Sequence, residues 1–228
     1  MLIENRALSL FHVLREPLQK TGETSPLLLL LHGYGSNEQD LIQLAPDLDD
    51  RFLVISPRAP EILGPGMFGW FPIEFHADGI TVNPELAMLA QQKLLDFFDE
   101  LLETYPVDHS KIFVMGFSQG AVMSYLAAFS QPEKVAGIVA MSGQIPPDDF
   151  FQTIDTAKLA ELPVLTVHGL YDEVLPIEKG RESRKKLESL PVRLTYKEYP
   201  MGHQVSVESL NDIDAWLKAI LKRRKAWL

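Results

Sequence analysis

Blocks of apolar residues recur along this chain, and their period changes from block to block. Residues 27–31 are five consecutive leucines. A continuous apolar run of that length predicts a strand buried on both faces of a parallel sheet. Residues 52–55, 112–115, 135–141, 163–167 and 192–199 predict further strands, and 8–14 predicts a first strand at a sheet edge. Between them the spacing becomes helical. Leu86, Leu89, Ala90, Leu94, Phe97, Phe98, Leu101 and Leu102 fall on one stripe. Asn83-Pro84 opens that helix, with Asn as N-cap and Pro at the first helical position, and Tyr105-Pro106 closes it. Residues 38–45, 121–129, 178–189 and 209–221 predict the other helices. Ser36 or Asn37 is the candidate cap of the first of these, and Leu210, Ile213, Trp216, Leu217 and Ile220 give the last an apolar face. Strands alternating with helices predict an α/β fold, a mostly parallel sheet covered by helices on both faces.

One stretch breaks the pattern. Residues 56–82 contain Pro57, Pro60, Pro65 and Pro72 and a dense aromatic group, Phe68, Trp70, Phe71 and Phe75, with no sustained period. A long irregular segment inside a compact domain predicts a functional loop or lid. Its aromatics are also a candidate contact between two copies of the chain. No repeat, low-complexity tract or linker divides the sequence, so a single domain over residues 1–228 is expected.

Composition narrows the function. The net charge is −10, and no basic stripe offsets it, which argues against nucleic acid as a partner. The one basic cluster, Lys222-Arg223-Arg224-Lys225, sits where it would favour the C-terminal dipole of the last helix. There are no cysteines, which excludes disulfides, thiolate metal sites and a cysteine nucleophile. Glu4, Arg6, His12 and Arg15 interrupt the N-terminal region before a secretory apolar segment could form, and no run approaches a membrane span. A soluble cytoplasmic protein without stable membrane insertion is expected.

The candidate chemistry centres on Gly116-Phe117-Ser118-Gln119-Gly120. The match to G-x-S-x-G lies between a predicted strand and a predicted helix, the context of a nucleophile elbow. There the serine occupies a strained turn, and flanking glycines are needed where strand and helix nearly touch. A serine hydroxyl needs a base, and the base an orienting acid, in the chain order Ser, Asp or Glu, His. Asp172 follows the strand ending at Val167, with Glu173 as the adjacent rival. His203 lies in a loop before the last helix. An oxyanion hole needs two backbone N–H groups. Gln119 follows the nucleophile, and the loop His32-Gly33-Tyr34-Gly35 offers the second, with the Tyr34 amide the best candidate. His32 and His168 each precede a glycine at a strand end and are read as holding site loops through ring N–H bonds. Glu74-x-His76-x-Asp78 has metal-ligand spacing but no second histidine, so no metal is expected there. No cofactor is required by this chemistry.

The chain resembles the phospholipase/carboxylesterase family of α/β-hydrolases, which includes acyl-protein thioesterases and small bacterial carboxylesterases. Leu31-His32-Gly33-Tyr34-Gly35, Pro57-Arg58-Ala59-Pro60, Trp70-Phe71, the elbow, His168-Gly169 with Asp172 and Val174-Leu175-Pro176, and Gly202-His203 carry the resemblance. It implies the α/β-hydrolase fold, a triad of Ser118, Asp172 and His203, an oxyanion hole from the Tyr34 and Gln119 amides, and Trp70 and Phe71 beside the site. Gly120-Ala121 in the elbow and Tyr34-Gly35-Ser36-Asn37-Glu38 in the oxyanion loop depart from the thioesterase branch and lean toward a bacterial-type esterase. The expected activity is hydrolysis of a small-molecule carboxylic ester or thioester, with short to medium acyl chains. Met67, Phe68, Trp70 and Phe71 are the expected substrate-binding residues.

Overall fold

A computed structural model describes residues 2–5, 7–20, 22–76, 79–151 and 155–222. In chain order the elements are β1 (Leu2–Asn5), β2 (His12–Arg15), β3 (Ser25–Leu31), β4 (Leu53–Pro57), β5 (Glu61–Gly64), β6 (Met67–Gly69), β7 (Glu74–His76), β8 (Gly79–Thr81), α1 (Pro84–Thr104), β9 (Val107–Phe117), α2 (Gln119–Ser130), β10 (Gly137–Met141), β11 (Pro163–Gly169), α3 (Ile177–Glu188), β12 (Arg193–Tyr199) and α4 (Val207–Leu221). Eight strands form one sheet in the order β1-β2-β4-β3-β9-β10-β11-β12. Pairing is antiparallel at β1-β2 and β2-β4 and parallel from β4 to β12.

The leucine run explains the layering. Leu27, Leu29 and Leu31 belong to one core cluster, with α1 and α2, while Leu28 and Leu30 belong to the other, with α4. All five are essentially inaccessible. Side chains alternate across a strand, so a segment covered on both faces must be apolar at every position.

Five expectations need correction. The edge strand is β1, and the predicted 8–14 strand is the shorter β2, one place inward. The helix expected at 38–45 is a 3-10 helix, Leu41–Asp47, enclosing Pro46. Proline there has no N–H to give the carbonyl four residues back, and its ring crowds that turn. Neither expected residue caps that helix: the Asn37 side chain accepts from the Gln39 amide at 2.9 Å, and the Ser36 hydroxyl donates to Asp40 at 2.7 Å. In α1 the buried stripe runs through Ala87, Ala90, Gln91, Leu94, Phe97, Phe98 and Leu101, whereas Leu86 and Leu89 are exposed. The Asn83 cap is as expected, its side chain accepting from the Glu85 amide at 2.9 Å. Finally, the stretch after β4 is not structureless: β5-β6 and β7-β8 are antiparallel hairpins. Asp78, the Phe75 side chain, Arg223, Arg224 and Lys225 lie outside what the structure describes. Among the described residues no helix is long and apolar enough to cross a membrane.

Candidate active site

Parallel strands end together, and their carboxyl ends carry the loops that hold all the predicted residues. The elbow comes first. β9 runs into Ser118, which has φ 54° and ψ −116°, and α2 starts at the next residue. A non-glycine residue at positive φ costs about 1–3 kcal/mol and needs its surroundings to hold it. Here the Ser118 amide donates to the Met141 carbonyl at 2.9 Å, and the Ser118 carbonyl accepts from the Ala121 amide at 3.0 Å. The glycines are required by contact. A Cβ at Gly116 would collide with the Gly120 carbonyl, and one at Gly120 with the Leu31 carbonyl. The start of α2 is therefore pressed against both β9 and the end of β3.

That close approach sets the loop His32-Gly33-Tyr34-Gly35, the expected source of an oxyanion donor, beside the serine. A Cβ on Gly33 would stand 3.4 Å from the Ser118 Cβ. His32 is inaccessible and fixes the loop's base. Its Nδ1 donates to the Gly33 carbonyl at 2.8 Å, and its Nε2 accepts from the Ala59 amide at 3.1 Å. A ring nitrogen that accepts carries no proton, so the imidazole is the neutral Nδ1–H form. Burial lowers its pKa below the ordinary value, partly opposed by the hydrogen bond to Gly33.

The side chains of Asp172 and His203 meet. Asp172 Oδ2 accepts from His203 Nδ1 at 2.8 Å, while Oδ1 accepts the amides of Val174 and Leu175 at 3.0 and 2.8 Å. Asp172 is buried and bonded to His203, whereas Glu173, its adjacent rival, is exposed. The two loops are interlaced: the Leu170 amide donates to the Tyr199 carbonyl at 2.8 Å and the Tyr171 amide to Met201 at 3.0 Å. The His203 ring packs on Phe117, the residue before Ser118, with centroids 4.8 Å apart. With Nδ1 donating to the carboxylate, a neutral imidazole carries its lone pair on Nε2. His168, also inaccessible, ties the acid loop through Nε2–H to the Leu175 carbonyl at 2.8 Å, and Nε2 lies 3.6 Å from Asp172 Oδ2.

The expected substrate-binding group divides. Met67 is exposed and its methyl lies against Gly35. Phe68 is half-buried beneath the Arg58 guanidinium. Trp70 and Phe71 are packed inside the core, at 1% and 3% exposure. They support the site from below: Trp70 Nε1 donates to the His32 carbonyl at 3.0 Å. Sequence reasoning missed the Gln119 side chain, which donates to the Phe71 carbonyl and accepts from the Trp70 amide, each at 2.8 Å. The elbow motif names that residue but says nothing of partners nearly fifty positions upstream. Glu74 and His76 lie 3.7 Å apart on β7, and among the described residues no group of three acidic or imidazole side chains could hold a metal ion.

Residues 17–221 match the family model described as phospholipase/carboxylesterase. The chain belongs to that family. Its sheet and helices form the α/β-hydrolase fold. A probable inactive carboxylesterase of Oryza sativa subsp. japonica is 28% identical over 91% of this chain and 90% of its own length. Acyl-protein thioesterase 1 of Gibberella zeae is 30% identical, over 74% of this chain and 77% of its own. The crystal structure of the Bacillus cereus carboxylesterase superposes with a TM-score of 0.76 at 26% identity, covering 93% of this chain and 95% of the other. The chain is thus a member of a hydrolase family of carboxylesterase and acyl-protein thioesterase type.

Proposed function

We propose that this family member is a serine carboxylesterase in which Ser118 is the nucleophile, His203 the base and Asp172 its orienting acid. The observation that carries the proposal is the buried Asp172 carboxylate bonded to His203 Nδ1, with the imidazole packed on the residue that precedes a strained Ser118. In the first step Nε2 of His203 takes the serine proton as Oγ bonds to the ester carbonyl carbon. The oxyanion so formed accepts from the backbone amides of Gln119 and Tyr34, fixed dipoles that need no reorganisation as the charge develops. The bond to the leaving alkoxide breaks, and His203 passes it the proton. Water then attacks the acyl-enzyme by the same route and frees Ser118. Met67, exposed beside the oxyanion loop, is the most accessible of the four expected substrate contacts.

Ser118→Ala should lower turnover of p-nitrophenyl acetate by ~10⁴-fold or more, because triad members act as a unit. Wild-type enzyme should be covalently labelled at Ser118 by a fluorophosphonate. Turnover retained in the variant would overturn the assignment. Absence of both labelling and ester turnover in the wild type would favour a silent binding protein, a reading prompted by the rice relative named as inactive. A thioesterase reading is prompted by the Gibberella relative. Comparing acetyl, butyryl and palmitoyl esters with the matching thioesters separates the two: the proposal expects the short and medium esters to turn over fastest.

A further inference from the structure

The oxyanion loop is not held by β3 alone. Residues 35–37 are hydrogen-bonded to the β5-β6 hairpin. The Gly35 amide donates to the Phe68 carbonyl and the Phe68 amide to the Ser36 carbonyl, both at 2.8 Å, an antiparallel bridge. Asn37 Nδ2 donates to the Gly66 carbonyl at 2.9 Å. A Cβ on Gly69 would stand 2.9 Å from the Tyr34 ring, so that ring rests on the hairpin. Gly35 itself has φ 79°, so the chain turns sharply directly after Tyr34, and the bond to Phe68 fixes that turn. The orientation of the Tyr34 amide therefore depends on where the hairpin sits.

One side chain joins both parts. Arg58 Nε and Nη2 donate to the two carboxylate oxygens of Glu38, each at 2.6 Å, and Glu38 is buried. The same guanidinium lies 4.6 Å from the Phe68 ring centroid and 4.3 Å from that of Phe11, and the Arg58 amide donates to the Phe11 carbonyl at 2.8 Å. Burial is the strongest single influence and works to raise the Glu38 carboxyl, but the hydrogen bonds and charge of Arg58 together with a backbone hydrogen bond outweigh it and hold its pKa below the ordinary value. A planar fork that pairs bidentately at its edge and stacks on its face is a property of arginine, not lysine.

We propose that Arg58 is a positioning residue for oxyanion binding: by gripping Glu38 at its edge and Phe68 on its face, it locks the hairpin to the loop that carries the Tyr34 amide. The inference rests on the serine-esterase reading above. It predicts an effect on the transition state more than on substrate binding.

The test compares Arg58→Met, Arg58→Lys and Phe68→Leu with wild type, using p-nitrophenyl acetate kinetics and inhibition by a trifluoromethyl ketone, whose serine adduct places an oxyanion in the same hole. Arg58→Met should lower kcat by ~10–100-fold, less than the loss of a whole oxyanion donor. KM should stay within about threefold, and the ketone's Ki should rise by the same factor as kcat falls. Lysine should restore part of the loss, since it keeps the charge but not the fork. Phe68→Leu should fall between lysine and wild type. Wild-type kcat and Ki in the arginine variants would overturn the inference, as would a kcat loss with an unchanged Ki. Where Arg58→Met does not fold, Arg58→Lys and Phe68→Leu decide, and wild-type kcat and Ki in both overturn it. A wild type that neither turns over esters nor takes a fluorophosphonate label would defeat the esterase reading itself. An active, labelled wild type with unaffected variants would defeat this inference alone.

Discussion

Gln119 has two jobs that its backbone and side chain divide. Its main-chain amide is the proposed oxyanion donor. Its side-chain amide satisfies a buried N–H at Trp70 and a buried carbonyl at Phe71, which only a group with both donor and acceptor ends can do. Gln119→Met keeps the length and the main-chain amide but orphans both partners. Each unsatisfied buried group costs about 1–3 kcal/mol, so stability should fall by roughly 2–6 kcal/mol in urea unfolding. Folded protein should still take a fluorophosphonate label at Ser118. An unchanged urea midpoint would show that the two backbone groups do not depend on this side chain. The residue scale is also where the sequence was read most unevenly. Ser118, Asp172 and His203 sit in motifs whose order and loop positions single them out. For Trp70 and Phe71, aromatic composition does not distinguish a ring that faces a ligand from one packed in the core, where the structure has both. Only the long-range bonds from Trp70 to His32 and Gln119 make that distinction.

At the scale of elements, the elbow is a three-way contact: β9 against α2 at Gly116 and Gly120, and α2 against the end of β3 at Leu31. At Gly120 the atoms an added Cβ would meet are the Leu31 carbonyl and the His32 oxygen, none of them part of a side chain. Backbone meets backbone, so an added methyl cannot be absorbed by a rotamer change. Gly120→Ala should therefore push α2 off β3, with a loss of about 3 kcal/mol or more, at the upper end of overpacking costs. Thermal unfolding by circular dichroism checks this, and a wild-type Tm would refute the steric account. The central strands were legible because burial on both faces leaves no choice but continuous apolar sequence. The hairpins after β4 were not, since strands of three or four residues carry too little period to read. The β5-β6 hairpin is held through Phe68 to Gly35 and Ser36, some thirty positions away. The exposed Leu86 and Leu89 show the complementary limit: periodicity locates a helix, but its rotation against the sheet is set by packing, here through Ala87, Ala90 and Leu94.

For the molecule as a whole, acid should be the weak direction. His12 and His32 are both inaccessible to solvent, and burial lowers the pKa of each below the ordinary histidine value. His12 is enclosed by the Leu10 carbonyl at 3.0 Å and the Tyr105 hydroxyl at 2.9 Å, and its ring packs edge-on against Phe97. Both groups are neutral in the folded state at neutral pH, and both titrate more readily once the chain unfolds. A lowered folded pKa means that the unfolded state binds protons first as pH falls. The contribution is thus complete above about pH 6.5 and is lost progressively below it, toward the lowered folded values. Carboxylates held low by arginine, Glu38 with Arg58 and Asp49 with Arg51, add a second loss at more acidic pH. The urea midpoint should therefore drop between pH 7.5 and pH 5.5, while carboxylates at their ordinary values remain ionised. His12→Gln should flatten that drop, because glutamine can bond to the same neighbours but cannot take up a proton. Equal midpoints at the two pH values in the wild type, or an undiminished drop in the variant, would remove His12 as a source of acid sensitivity.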